Sequence, residues 1–134
     1  MYEIALYKPK TQENLGLILR SCHCFGVTAV NLIGHRYKKR VQTDTMKSSK
    51  HIPIYTWDNI EDLLHAKQEM SIIAVEVDGQ PINGFKHPEQ GLYVFGGEDM
   101  NVPQIITERI MIPTSYCLNL AMAVSILCFS RSMT

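Results

Sequence analysis

The feature that most constrains this chain is an alternation. Short apolar runs of strand character take turns with segments whose apolar residues recur at helical spacing. Tyr2 to Tyr7 reads as a strand, ended by Pro9. Thr11 to Cys24 places Leu15, Ile18, Leu19 and Cys22 at i, i+3, i+4 and i+7, one face of a helix that Gly26 can close. Val27 to Ile33 is a second strand, ended by Gly34. Ile52 to Trp57 is extended, and Asp58 can cap a helix running through Leu63, Leu64 and Lys67. Ser71 to Val77 is an apolar strand before an Asp78-Gly79 turn, and Leu92 to Phe95 is another, closed by Gly96-Gly97. Val102 to Thr107 reads as a short helix with Pro103 in its first turn, Arg109 to Ile112 as the last strand, and Cys117 to Phe129 as the final helix.

Apolar strands alternating with helices predict an α/β fold, a parallel sheet flanked by helices on both faces. The length of 134 residues gives room for one domain, 1–134, and a 46% hydrophobic, 19% charged composition excludes a disordered chain. Ligands of such sheets bind outside the carboxyl ends of the strands. Here those are the loops 8–13, 34–50, 77–84, 96–101 and 113–116, which hold most of the glycines and unusual polar residues.

Charge is unevenly placed. Residues 1–51 carry nine Lys/Arg against three acids and residues 52–134 carry four against ten, so a net charge of zero hides halves of +6 and −6. That excludes a uniformly basic nucleic-acid glove but not a local basic surface. The densest stretch holds Arg36, Lys38, Lys39 and Arg40, with Lys47 and Lys50 following, and Tyr37 lies within it. A basic run with an aromatic in it suits RNA phosphates; a solvated loop is the plainer alternative. No apolar run reaches the roughly 18 residues of a membrane span, and the start Met1-Tyr2-Glu3-Ile4 lacks a secretory pattern, so no membrane association is expected. Four cysteines among seven methionines fit a reduced, cytoplasmic protein. Cys22-His23-Cys24 is no metal site, because residues two apart on a helix point to different sides and a structural zinc needs four ligands. No metal is expected.

Three segments carry the chemistry. In the first, Asn14 opens a helix in which Gly16 and Arg20 share a face, and a glycine there lets a ligand or a second backbone approach beside the arginine. In the second, the strand Leu92-Tyr93-Val94-Phe95 runs into Gly96-Gly97-Glu98, which a ligand loop at a strand end can use. In the third, Ile112-Pro113 leads into a helix from Cys117 that is apolar almost all round. Such a helix is buried on every side, and in a chain this small that points to a dimer interface.

In this order and spacing, the three segments resemble the motifs of the SpoU/TrmH family of the SPOUT RNA methyltransferases: an N-x-G-x-x-x-R helix, an F-G-x-E loop and an I-P…S-L-N-x-S helix. Asn14, Gly16 and Arg20 match the first; Phe95, Gly96 and Glu98 the second; Ile112, Pro113, Leu118 and Asn119 the third. The resemblance covers nearly the whole chain and is nearest to the small stand-alone members that modify the tRNA wobble ribose. It implies a C-terminal deep trefoil knot, a homodimer, S-adenosyl-L-methionine as methyl donor, and transfer to a ribose 2′-oxygen of tRNA in preference to rRNA. Carried over by position, Val75, Gly79, Gly96, Ile112, Cys117 and Leu118 would touch the donor. Arg20 would act at the acceptor oxygen, as base or as electrostatic stabiliser, Asn14 would orient the sugar or the Arg, and Glu98 would fix the loop or position Arg20 across the dimer.

Three departures stand beside the match. Cys117 replaces the usual serine, only Thr114-Ser115-Tyr116 separate Pro113 from it, and no glycine follows the motif acid, which leaves Asn101 to take the left-handed conformation. They open a rival reading, a catalytically impaired RNA-binding homodimer that keeps the fold. A nucleotide-binding module unrelated to RNA is disfavoured by the basic segment and the motif triple.

Overall fold

A computed structural model describes residues 1–37, 52–115 and 118–134. Its elements are β1 (Tyr2–Tyr7), α1 (Glu13–Cys24), β2 (Val30–Ile33), β3 (Ile54–Trp57), α2 (Ile60–Ala66), β4 (Ser71–Pro81), β5 (Gly91–Gly96), β6 (Arg109–Met111) and α3 (Leu120–Ser132). The strands form one sheet in the order β3-β2-β1-β5-β4-β6, and every neighbouring pair is parallel. Helices cover both faces, as the alternation predicts. Ile4, Leu6, Tyr93 and Phe95 point to the layer of α1 and α3, while Ala5, Leu92 and Val94 point to α2 and to Val102 and Ile106. The period-2 alternation of each strand therefore feeds two separate apolar clusters.

Buried polar groups are paired, as burial demands. Asn31 is fully buried; its amide donates to Glu3 Oε1 at 2.9 Å and its oxygen accepts from Trp57 Nε1 at 2.9 Å. Lys67 completes the set on Glu3 Oε2 at 3.2 Å. At the far end of α3, His87 bridges the hydroxyls of Tyr93 at 2.7 Å and Ser130 at 2.9 Å, and Arg131 lies over the Tyr2 ring. Burial, then the Arg131 charge, holds His87 below its ordinary pKa, so the bridge is made by the neutral ring.

Several boundaries differ from those read off the sequence. Asn59, not Asp58, caps α2, its side chain accepting from Asp62 N–H at 2.9 Å. Residues 102–107 form a turn instead of a helix. Ile106 N–H donates to Pro103 O, and the Arg109 guanidinium takes the carbonyls of Val102, Pro103 and Ile106 that a helix would have used. The last helix starts at Leu120 and not at Cys117, because the Asn119 side chain accepts from Met122 N–H at 2.8 Å and so caps it. The Asp78-Gly79 turn is instead a bulge inside β4. Ile110 of β6 faces Val75 and again Gln80, so residues 76–79 swing out of the ladder and the strand resumes.

Candidate functional site

A cavity of about 910 Å³ lies over the ends of β4, β5 and β6, a size that suits a nucleoside-sized ligand. The strand order reverses between β1 and β5, where a doubly wound sheet usually binds its ligand. That crevice is closed. Lys8 continues β1 with its N–H on Ile33 O, and its carbonyl accepts from Arg36 Nε at 3.1 Å and Nη2 at 2.6 Å. Lys8 is the one non-glycine residue among those described with positive φ, at 50°, a strain that these bonds hold in place. The cavity is displaced one strand along, towards β4 and β6.

Its walls are built from the bulge of β4, the loop after β5 and the segment after β6. Gly96 is the tight point, because a Cβ there would collide with Met100 O and with Glu76 Oε1. Glu76 Oε1 in turn accepts Val102 N–H at 2.7 Å. The loop is tied to the start of α1 by Glu98, whose carboxylate accepts Lys10 N–H at 3.0 Å and Thr11 N–H at 3.3 Å. Burial pushes the Glu98 carboxyl up, but these N–H groups, its own N–H and the Asn14 side chain outweigh it and hold the group below the ordinary carboxylate range. Arg36 pairs bidentately with Asp99, Nη1 to Oδ2 at 3.1 Å, and lowers the Asp99 pKa. Behind the loop, Arg109 is only 8% exposed at its side chain and also donates to Asp78 at 2.9 Å. Gln104, then Arg109, hold Asp78 below its ordinary range.

Of the residues expected at a donor site, Val75, Gly96, Ile112 and Leu118 line the cavity. Gly79 does not. It packs on the Ile110 backbone, where a Cβ would stand 2.5 Å from the Ile110 N and C atoms, so its smallness lets the bulge of β4 close against β6. Cys117 lies outside the described residues. Glu98 lines the cavity, but its oxygens are occupied by the α1 loop and Asn14. Asn101 also lines it without the left-handed backbone expected of it. Of the basic residues, Arg36 is spent on Asp99 and Lys8, and Lys38, Lys39, Arg40, Lys47 and Lys50 lie outside the described residues.

Arg20 sits apart, on the exposed side of α1, in a groove of about 650 Å³ between α1 and α3. Asn119 lines both this groove and the cavity, so the two adjoin. A Cβ at Gly16 would meet nothing within 4 Å, which leaves the helix face beside Arg20 open. Leu17, Met122 and Ile126 line the same groove and are exposed by 60%, 46% and 36%, and Phe129, further along α3, is exposed by 58%. The final helix is thus not covered on every side within the one chain. Sequence reasoning misses Glu76 and Arg109. Glu76 has one signal, an acid interrupting an apolar strand; Arg109 has none, since its partners follow from the turn it creates.

The model of the SpoU rRNA methylase family matches residues 1–129. No curated protein matches the chain significantly. Among solved structures, a protein of Porphyromonas gingivalis assigned to the TrmH family of RNA methyltransferases is 25% identical, with a TM-score of 0.78 over 96% of this chain. The chain spans 58% of that relative's length. A structure concerned with 2-OH methylation of C/U34 on tRNA is 20% identical, with a TM-score of 0.84 over 99% of this chain and 94% of its own. An AdoMet-bound rRNA methyltransferase from Sinorhizobium meliloti is 23% identical, with a TM-score of 0.81 over 96% of this chain and 54% of its own.

Proposed function

The chain belongs to the SpoU rRNA methylase family, and from that premise we propose that it is an S-adenosyl-L-methionine-dependent RNA methyltransferase acting on a ribose 2′-oxygen, with tRNA as the preferred substrate. The observation that carries the reading is the cavity over β4–β6, lined by residues of the second and third motifs, with the first motif's arginine in the adjoining groove. The donor fits it. Apolar Val75, Phe95, Ile112 and Leu118 suit an adenine, and the only charged residues among the described lining, Glu76 and Glu98, are acids, which suits a sulfonium. When bound, the donor supplies an electrophilic methyl group.

The chain's own residues then have distinct tasks. The walls fix orientation and exclude water, with Arg109 and Glu98 holding the loop after β5 in place. Arg20 faces the acceptor. A guanidinium stays protonated, so it stabilises the developing alkoxide more readily than it removes the proton. Asn14, held by Glu98, fixes the first turn of the helix that carries Arg20. Preference for tRNA is supported by the tRNA-related structure, which this chain matches over nearly its whole length.

The reading includes a homodimer, a trefoil knot and a cytoplasmic setting. Leu17, Met122 and Ile126 form an exposed apolar patch in the groove that holds Arg20, of the kind that marks an interface. A second copy there would both cover the patch and enclose the acceptor site. No helix among the described residues is long and apolar enough to cross a membrane.

Incubation with methyl-labelled donor and bulk tRNA or rRNA, followed by nucleoside analysis, tests the function. The expected product is a 2′-O-methyl nucleoside in tRNA. Label on a base would overturn the ribose assignment, and no label on any RNA would favour the non-catalytic dimer.

A further inference from the structure

Building on the donor reading, we propose that Glu76 makes the cavity select a cationic methyl donor over the uncharged thioether left after transfer. The bulge of β4 is what brings this side chain in. Residues 76–79 leave the ladder between Val75 and Gln80, and Glu76 lines the cavity beside Gly96. One carboxylate oxygen is used structurally, accepting Val102 N–H at 2.7 Å. The second has no hydrogen-bond partner among the described residues. The other acid of the lining is spent, since Glu98 accepts Lys10 and Thr11 N–H and the Asn14 side chain. No basic residue is among the described residues that line the cavity. On the neighbouring loops, Lys8 is turned to Tyr7 and Arg36 to Asp99, and Lys10 lies beside Glu98 and Asp99 at the other end of the lining.

The chemistry follows from charge balance. When the methyl passes to the acceptor oxygen, a C–O bond forms as the S–CH₃ bond breaks, the sulfur keeps that bond's electron pair and changes from a sulfonium to a neutral thioether, and the acceptor hydroxyl's proton passes to solvent water. The amino-acid end of donor and product is the same, so the two differ by one positive charge and one methyl. A carboxylate in a mostly apolar cavity stabilises the first and not the second. Glu76 thereby favours loading and weakens the hold on product.

The test is calorimetric titration of wild type and Glu76→Gln with three ligands: S-adenosylmethionine, S-adenosylhomocysteine, and sinefungin, which carries an ammonium where the sulfonium stands. Glutamine keeps an acceptor for Val102 N–H and removes only the charge. Wild type is expected to bind both cations about tenfold more tightly than S-adenosylhomocysteine, as for a partly screened ion pair. In Glu76→Gln the preference should fall to within about twofold, with S-adenosylhomocysteine affinity nearly unchanged. Raising salt from about 50 mM to about 500 mM should narrow the wild-type preference in the same direction, a check that needs no variant. A cation preference that survives both the substitution and the salt, or no preference in wild type, overturns the role of Glu76 alone. Failure of wild type to bind any of the three overturns the donor reading and this inference with it.

Discussion

The cavity over β4–β6 and the groove between α1 and α3 adjoin at Asn119 but are built in opposite ways. Side-chain bonds to backbone groups hold the cavity's walls. Glu76, Glu98 and Arg109 together fix the ends of the loop after β5, and Gly96 leaves no slack between them. The groove is bordered by the exposed Leu17, Met122 and Ile126 and the half-buried Phe25, and it holds the hydroxyl pair of Ser21 and Ser125 at 2.7 Å. One region is preorganised by its own chain. The other has an unsatisfied apolar surface and a charged group at its edge. The contrast separates the proposed donor site, whose walls one chain supplies, from the proposed acceptor site, which a second copy would complete.

Replacing Arg20 breaks the comparison most sharply. In Arg20→Ala, methyl transfer should fall by at least about a hundredfold while donor affinity stays within about twofold, because the Arg lines the groove and its proposed action is on the acceptor. Single-turnover rates and calorimetry on one preparation separate the two effects. Weaker donor binding would merge the two regions.

Next in size is Arg109→Met. It strands the carbonyls of Val102, Pro103 and Ile106 behind the cavity wall, which should cost roughly 3 kcal/mol of stability. Urea unfolding measures it, and the same variant should weaken the donor. A loss below about 1 kcal/mol would mean that water replaces the guanidinium.

The groove's own variant is Ile126→Asp. Placing a carboxylate in the apolar patch should cost roughly 2 kcal/mol at a dimer interface, about thirtyfold in the dissociation constant. Sedimentation equilibrium should then move from twice 15.2 kDa towards the single-chain mass. A wild type that is already monomeric would leave the groove without its partner.

The smallest effect concerns Glu98. Its pKa is lowered on folding, so its contribution is present above the ordinary carboxyl value of 4.5 and is lost as pH falls through and below it. Because Glu98 is exposed and its interactions are screened, Glu98→Ala should cost no more than about 0.5 kcal/mol near neutrality, and the difference from wild type should fade in acid. A pH-independent difference would assign the loss to packing.

Much of the fold, and part of the cavity, can be read from the chain. The period of Leu15, Ile18, Leu19 and Cys22 gives the buried face of α1, and the apolar runs give β1 and β5. Gly96 and Ile112 are picked out by motif and lie at the cavity. What the sequence hides are side chains that override local preference. Asp78-Gly79 has the composition of a turn, yet β4 resumes after it because Gln80 and Pro81 pair again with β6. Residues 102–107 have helical character, but their carbonyls are claimed by Arg109. Lys10 and Glu98 are 88 residues apart and Arg36 and Asp99 are 63, so no local pattern could show that Glu98 and Arg36 are occupied. The basic run suggests Arg36 for RNA phosphates, and the fold pairs the same guanidinium with Asp99.

The central claim is that the cavity over β4–β6 is where the methyl donor binds. Calorimetric titration of S-adenosylmethionine into wild type and Gly96→Val tests it most directly. A Cβ at Gly96 meets Met100 O and the Glu76 carboxylate, and the valine methyls must project into the cavity or displace its wall. The account predicts one site per chain in wild type and none in a folded Gly96→Val. Equal binding by both proteins would place the donor elsewhere and contradict the account.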